Sequence, residues 1–190
     1  MEDMKPLLKL NLGCGENRIS GYINVDKYGS PDVCHDLETF PWPWEDSSVE
    51  EVRLNHVLEH LGETVSVYFG IIKELYRICA ANAEIHIGVP HPRHDDFLND
   101  PTHVRIVTPD GIILFSKAKN REWIKGKYAN SPLGLYLDVD LEIISVNYIL
   151  DPLWTEKLNS KQLTESQMEE AYRNYNNVVK EIRMIIKVVK

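Results

Sequence analysis

Short apolar runs alternating with polar positions recur along the chain and predict strands. Lys9-Leu10-Asn11-Leu12 and Tyr22-Ile23-Asn24-Val25 are the first two, and residues 31–37 form a further extended piece. Glu51-Val52-Arg53-Leu54-Asn55, 84–89, 139–148 and the alternating Ile182, Met184, Ile186 and Val188 complete the set. Between them, Val67, Tyr68, Ile71, Ile72, Leu75, Ile78 and Cys79 fall at three-to-four spacing and predict a helix. Thr108-Pro109 is a helix start, with Thr as cap and Pro at the first helical position, and the spacing carries that helix to about Lys117. Residues 163–177 read as a polar helix. Six residues separate Gly15 from Tyr22, too few for a crossover helix, so a compact loop joins the first two strands. The Phe40-Pro41-Trp42-Pro43-Trp44 run is loop, and Ala81-Asn82-Ala83 is a turn.

Strands interleaved with helices predict an α/β fold around a mainly parallel sheet. In such sheets ligands bind outside the carboxyl ends of the strands, where the strand order reverses. The chemistry of the chain gathers at those ends: Gly13 to Gly15, Asp26, Asp36 to Glu38, Asn55 to His60, and Pro90 onward.

Composition narrows the picture. The 190 residues suit one domain spanning 1–190, and 43% hydrophobic with 26% charged residues is ordinary for a globular chain. The net charge of −8 disfavours broad nucleic-acid binding, which is driven by neutralising phosphates. No apolar run is long enough for a bilayer, the N-terminus shows no signal-peptide core, and Cys14, Cys34 and Cys79 form neither a disulfide nor a zinc pattern. The expectation is a soluble, cytoplasmic protein with no membrane partner.

Gly13-Cys14-Gly15 at a strand end lets a ligand approach the backbone closely. The dinucleotide fingerprint needs a third glycine three residues on, where this chain has Arg18, so a nicotinamide oxidoreductase is disfavoured. Asp26, ending the second strand, can accept hydrogen bonds from both ribose hydroxyls. Asp36 can take the exocyclic amine of adenine, with Leu37 against the ring.

The ordered set Asn11-Leu12-Gly13-Cys14-Gly15, Asn24-Val25-Asp26, His35-Asp36-Leu37-Glu38, Pro41-Trp42-Pro43, His56-Val57-Leu58-Glu59-His60 and Leu75-Tyr76-Arg77-Ile78 resembles class I S-adenosylmethionine-dependent methyltransferases. It is most similar to the small single-domain members of the Methyltransf_11 type, over residues 7 to about 115. The resemblance implies a Rossmann-like, seven-stranded sheet with an antiparallel last strand and helices on both faces. It implies S-adenosyl-L-methionine as cofactor, with Gly13 to Gly15 under it, Asp26 on the ribose, and Asp36 and Leu37 at the adenine. Asn55 and His56 then lie near the methyl donor, and Asn11, Cys14 and Glu38 join the cofactor-binding set. Two features depart from the pattern: the missing helix after the glycine turn, and Ala81-Asn82-Ala83 where Pro-Gly-Gly is frequent. Arg18 is a candidate for the methionine carboxylate, since a guanidinium matches a carboxylate fork.

Four of the seven histidines lie between residues 86 and 103. His91, His94 and His103, with Asp95 as an orienting carboxylate, are candidates for general-base catalysis. Arg105 is a candidate for an anionic part of the acceptor. A divalent metal held by some of His91, His94, Asp95, Asp96 and His103 is a weaker reading, and a loop satisfying its own backbone is the bland one. His60 reads as a packed or capping histidine. Lys117, Lys119, Arg121, Lys125 and Lys127 read as a basic loop, by default a solvated face. The expected function is methyl transfer to oxygen or nitrogen of a small polar acceptor. The rivals are a nucleic-acid or protein methyltransferase using residues 117–127, and a non-catalytic cofactor-binding module.

Overall fold

The computed structural model of the chain describes residues 6–190. Strands β1 (Leu8–Leu12), β2 (Ile23–Asp26), β3 (Val33–Cys34), β4 (Val49–Asn55), β5 (Cys79–Pro90), β6 (Leu141–Leu150) and β7 (Val179–Val188) form one sheet in the order β3-β2-β1-β4-β5-β7-β6. β1 to β5 pair in parallel, and β7, last in the chain, runs antiparallel to both neighbours. This is the expected seven-stranded, mainly parallel sheet. The order reverses between β1 and β4, which places the ligand crevice outside the ends of those two strands.

The helices are α1 (Val65–Ile78), α2 (Asp95–Leu98), α3 (Pro109–Ile112), α4 (Lys117–Gly126), α5 (Leu133–Leu137), α6 (Pro152–Asn159) and α7 (Glu165–Asn174). α1 starts on Thr64, whose side chain accepts from the Val67 N–H, and buries Tyr68, Ile71, Ile72, Leu75 and Ile78 in the main core. Phe115, just after α3, meets the rings of Tyr68 and Phe69 at centroid distances of 6.1 and 6.3 Å, so the 109–115 segment shares α1's face of the sheet. Trp42 and Trp44 close that core beneath the 36–48 loop.

Helices surround the sheet unevenly. Because no helix crosses from β1 to β2, the opposite face of the central strands stays wet, and its positions are polar. Glu51 on β4 accepts from Tyr22 Oη at 2.5 Å, from Arg53 Nε at 2.9 Å and from Lys9 Nζ at 3.4 Å. His86 Nε2 on β5 stands 3.0 Å from Glu84. α6 and α7 pack together through Met168, Ala171 and Val178, with Trp154 and Leu158 against them, as a second small core between β6 and β7.

Three local expectations are corrected. The turn expected at Ala81-Asn82-Ala83 is a bulge inside a longer β5: Asn82 takes φ 64° and the β4 pairing skips from Val49–Cys79 to Glu51–Glu84. The helix expected from Thr108 to about Lys117 is one α-helical turn, Pro109–Ile112, followed by a 3-10 turn, Ile113–Phe115, and Ser116 then caps a second helix by accepting from the Lys119 N–H. The basic stretch 117–127 is therefore largely the helix α4, not a loop. Its Lys117 pairs with Asp138 and its Lys119 with Glu122.

Candidate functional site

At the β1/β4 reversal point a cleft of about 190 Å³ is lined by Gly13, Asp26, Lys27, His35, Asp36, Leu37, His56, Val57, His60 and Leu61. Gly13 ends β1 at φ 65°, a region favouring glycine, and a Cβ there would stand 2.6 Å from Val57 Cγ2. The backbone thus passes close under the turn that follows β4. Asp26 ends β2. Its Oδ2 accepts from the Gly15 N–H at 2.9 Å and its Oδ1 from the Tyr28 N–H at 2.9 Å. A carboxylate has about four lone-pair positions, so acceptor capacity remains on the cleft side. Asp36 Oδ1 accepts from the Glu38 N–H at 3.0 Å, and Lys27 Nζ lies 3.8 Å from its Oδ2. Leu37 is buried beside it.

His56 follows β4 in a left-handed conformation at φ 56°, with its N–H on the Gly88 carbonyl at 2.8 Å. Its ring stands between two carboxylates, Nδ1 3.4 Å from Glu59 and Nε2 3.8 Å from Glu181. The Glu59 carboxylate raises the His56 pKa above its ordinary value against the opposing effect of burial, with Glu181 and Asp96 adding to the rise.

The structure brings Gly13, Asp26, Asp36, Leu37 and His56 into one cleft and places other expected residues elsewhere. Asn11 is buried, donating to the Asn17 carbonyl and to Asn24 Oδ1, both at 2.9 Å. Cys14 is buried, and burial pushes its thiol pKa up. Glu38 Oε1 accepts from the Gly62 N–H at 2.7 Å and so ties the β3–β4 loop to the start of α1. Gly15 and Asn55 are exposed at the tips of their segments. Arg18 binds Asp32 and the Ser30 carbonyl, and lines a separate depression on the open sheet face with Asn17, Arg53 and His86.

The histidine-rich segment divides in two. Residues 91–95 anchor the α6–α7 unit. The Arg93 guanidinium donates to the Tyr172 and Arg173 carbonyls, the Asp95 N–H donates to Asn177 Oδ1 at 2.8 Å, and His94 Nε2 lies 3.4 Å from Asp151 Oδ2. His94 also caps α2, its Nδ1 accepting from the Asp96 N–H at 3.0 Å. His91 Nδ1 accepts from the Arg93 N–H at 3.2 Å, and burial, with Arg93 and His94 nearby, pushes its pKa down. None of these side chains lines the cleft. His103 instead packs by the cleft, its ring 4.6 Å from that of His60. Arg105 donates to the Gly62 carbonyl and lies over the Tyr68 ring at 4.3 Å, where it braces α1.

Sequence reasoning read His60 as a packed or capping histidine and gave no role to His35 or Glu59. His60 lines the cleft with His35, and Glu59 is a carboxylate buried beside His56. The signal for Glu59 was present: an acid flanked by Val57, Leu58 and Leu61, where a solvated residue would not be expected.

No protein-family model and no curated protein matches the chain. Solved structures do. It is similar to a SAM-dependent methyltransferase from Archaeoglobus fulgidus at 19% identity, over 96% of this chain and 86% of that one, with a TM-score of 0.58. A SAM-dependent methyltransferase from Methanosarcina mazei matches at 13% identity, over 97% and 93%, with a TM-score of 0.53. The 1,6-didemethyltoxoflavin-N1-methyltransferase from Burkholderia thailandensis, whose structure holds 1,6-didemethyltoxoflavin and S-adenosylhomocysteine, matches at 10% identity, over 98% and 72%, with a TM-score of 0.52. The fold is that of class I S-adenosylmethionine-dependent methyltransferases.

Proposed function

We propose that the chain is an S-adenosylmethionine-dependent methyltransferase, of the small single-domain Methyltransf_11 type, acting on oxygen or nitrogen of a small polar acceptor. The observation that carries this reading is the convergence of Gly13, Asp26, Asp36, Leu37 and His56 on one cleft at the reversal point of this fold. Asp26, held by two backbone N–H groups, accepts from the ribose hydroxyls. Asp36 takes the adenine amine while Leu37 packs on the ring. Whole-ligand pockets run to roughly 300–1,000 Å³, so a cleft of about 190 Å³ suits the adenosine and leaves the methionine end along the tips of β1 and β4.

Methyl transfer is an in-line displacement at a carbon that the sulfonium already activates. Alignment supplies much of the rate, worth up to ~7–11 kcal/mol in well-oriented systems. A hydroxyl or protonated amine must also lose a proton. His56 is the group for that proton: its ring is accessible, and Glu59 and Glu181 stabilise the imidazolium. The net charge of −8 and the pairing of Lys117 and Lys119 with acids argue against a polyanionic acceptor.

The test is transfer of labelled methyl from S-adenosylmethionine into a host extract, with mass spectrometry of the labelled product. Label in a small polar molecule, lost in Asp26→Ala, is expected. Label confined to RNA, DNA or protein would contradict the acceptor class, and no label in any fraction would contradict the activity.

A further inference from the structure

Glu59 and His60 sit in the single 3-10 turn Leu58–His60 after β4, and His103 comes from the segment beyond β5. The Glu59 carbonyl accepts from the Val104 N–H at 2.9 Å and the Arg105 N–H at 3.0 Å, which fixes His103 over that turn. One ligand atom from each of Glu59, His60 and His103 lies within 4.8 Å of the other two.

Two further observations point to a cation among them. Glu59 is 1% exposed, and among the described residues neither of its carboxylate oxygens has a hydrogen-bond partner. Its basic neighbour outside this trio is the half-exposed His56, whose Nδ1 stands 3.4 Å away, beyond a normal charge-assisted hydrogen bond, so the buried carboxylate keeps lone pairs for a cation. The imidazoles are also set for ligation. His103 Nδ1 lies 2.9 Å from the Phe97 carbonyl, which can only accept, so Nδ1 carries a proton and Nε2, 3.8 Å from Asp100 Oδ2, is the nitrogen left for an ion. His60 Nδ1 lies 2.9 Å from Thr102 Oγ1, whose own proton goes to Asp100 at 2.6 Å. His60 Nδ1 is therefore a donor too, and its Nε2 is bare. A carbonyl or hydroxyl fixing the far nitrogen is the support that metal-bound histidines characteristically have.

We propose that Glu59, His60 and His103 hold one divalent transition-metal ion at the mouth of the cleft, and that its open positions take a hydroxyl of the acceptor. Two imidazoles and one carboxylate suit zinc, manganese, iron or cobalt rather than calcium. Three protein ligands leave room for an exchangeable one. Ion binding stands on these residues alone; its use in catalysis rests on the methyl-transfer reading. In that reaction the ion favours ionisation of the bound hydroxyl, whose proton passes to bulk water. The O–CH3 bond forms as the S–CH3 bond breaks, and the sulfonium leaves as the neutral thioether S-adenosylhomocysteine.

The test is titration of the metal-free full chain with Co²⁺, read by visible absorption and calorimetry, without cofactor. One equivalent bound is expected, weakened by at least about tenfold in His103→Ala and in His60→Gln and unchanged in His86→Ala on the open face. Circular dichroism establishes that each variant is folded. No Co²⁺ binding by the wild-type chain, or unchanged binding in folded His103→Ala and His60→Gln, would overturn the site. S-adenosylhomocysteine added to the same samples separates the two readings. Cofactor bound without Co²⁺ removes the ion site alone, and Co²⁺ bound without cofactor removes the methyl-transfer reading alone.

Discussion

Gly13 and Arg18 are five positions apart, and the structure gives them opposite weights. Gly13 holds φ 65° with Val57 against it, so Gly13→Ala must both strain the backbone and displace the Val57 methyls. The expected outcome is a destabilisation of about 1–3 kcal/mol in denaturant unfolding, with S-adenosylhomocysteine binding reduced in whatever fraction folds. Arg18 is taken up by Asp32 and the Ser30 carbonyl outside the cleft. Arg18→Ala is expected to leave affinity for S-adenosylhomocysteine unchanged and to cost at most about 1 kcal/mol of stability; lost affinity would show that Arg18 swings to the methionine carboxylate. The placement of Gly13, Gly15 and Asp26 at strand ends was legible, because a glycine turn and an acid directly follow or close two short apolar runs. The partners of Arg18 and the meeting of Glu59 with His103 were not legible. They depend on Asp32 and His103 being brought near by the fold, and nothing local records that.

At the scale of elements, α1 is the piece the sequence specified best, since one face carries Tyr68, Ile71, Ile72, Leu75 and Ile78 at helical spacing. Leu75 is 1% exposed, and Leu75→Ala is expected to cost about 2–5 kcal/mol in urea unfolding. α1 also holds the loop that closes the core. Glu74 accepts from the Trp42 N–H at 2.6 Å and pairs with Arg77, which donates to the Trp42 and Trp44 carbonyls. Glu74→Gln weakens this clamp and is expected to cost about 1–2 kcal/mol. Where the elements were misread, a side chain explains it. Buried Asn120 donates to the Leu114 carbonyl at 3.0 Å and accepts from the Leu135 N–H at 3.1 Å, holding the break at Ser116 where the expected helix ends and the unexpected α4 begins. α6 went unread although Asp151-Pro152 carries the same start signal as Thr108-Pro109.

For the whole molecule, several carboxylates are held below their ordinary pKa: Asp32 by Asn24 and Arg18, Glu74 by Arg77, Asp100 by Thr102, and Asp138 by Lys117. A depressed folded-state pKa means that the unfolded chain binds more protons in the carboxylate range. The stability these groups contribute is therefore fully present above about pH 4–5 and is lost as pH falls through their lowered values. Melting temperature is expected to be flat in pH through weakly acidic conditions and to drop below about pH 4, with a shallower drop in Glu74→Gln; an unchanged slope in that variant would show that the clamp carries none of it. The mainly parallel α/β sheet was readable from strands interleaved with helices, the seven strands and the antiparallel last one followed only from the family resemblance, and the six residues between Gly15 and Tyr22 recorded the missing helix between β1 and β2. The wet sheet face follows from that same short loop, and its alternating Lys9, Glu51, Arg53, Glu84 and His86 were visible as polar positions whose common side only the sheet order reveals.

The most direct measurement is isothermal titration of the full chain with S-adenosylhomocysteine, beside Asp26→Ala. One molecule bound per chain is expected, with the affinity reduced by roughly 10–100-fold in the variant because two charge-assisted hydrogen bonds to the ribose are lost. No heat with the wild-type chain, or equal affinity in a folded Asp26→Ala protein, would contradict an adenosyl site at the ends of β1, β2 and β4.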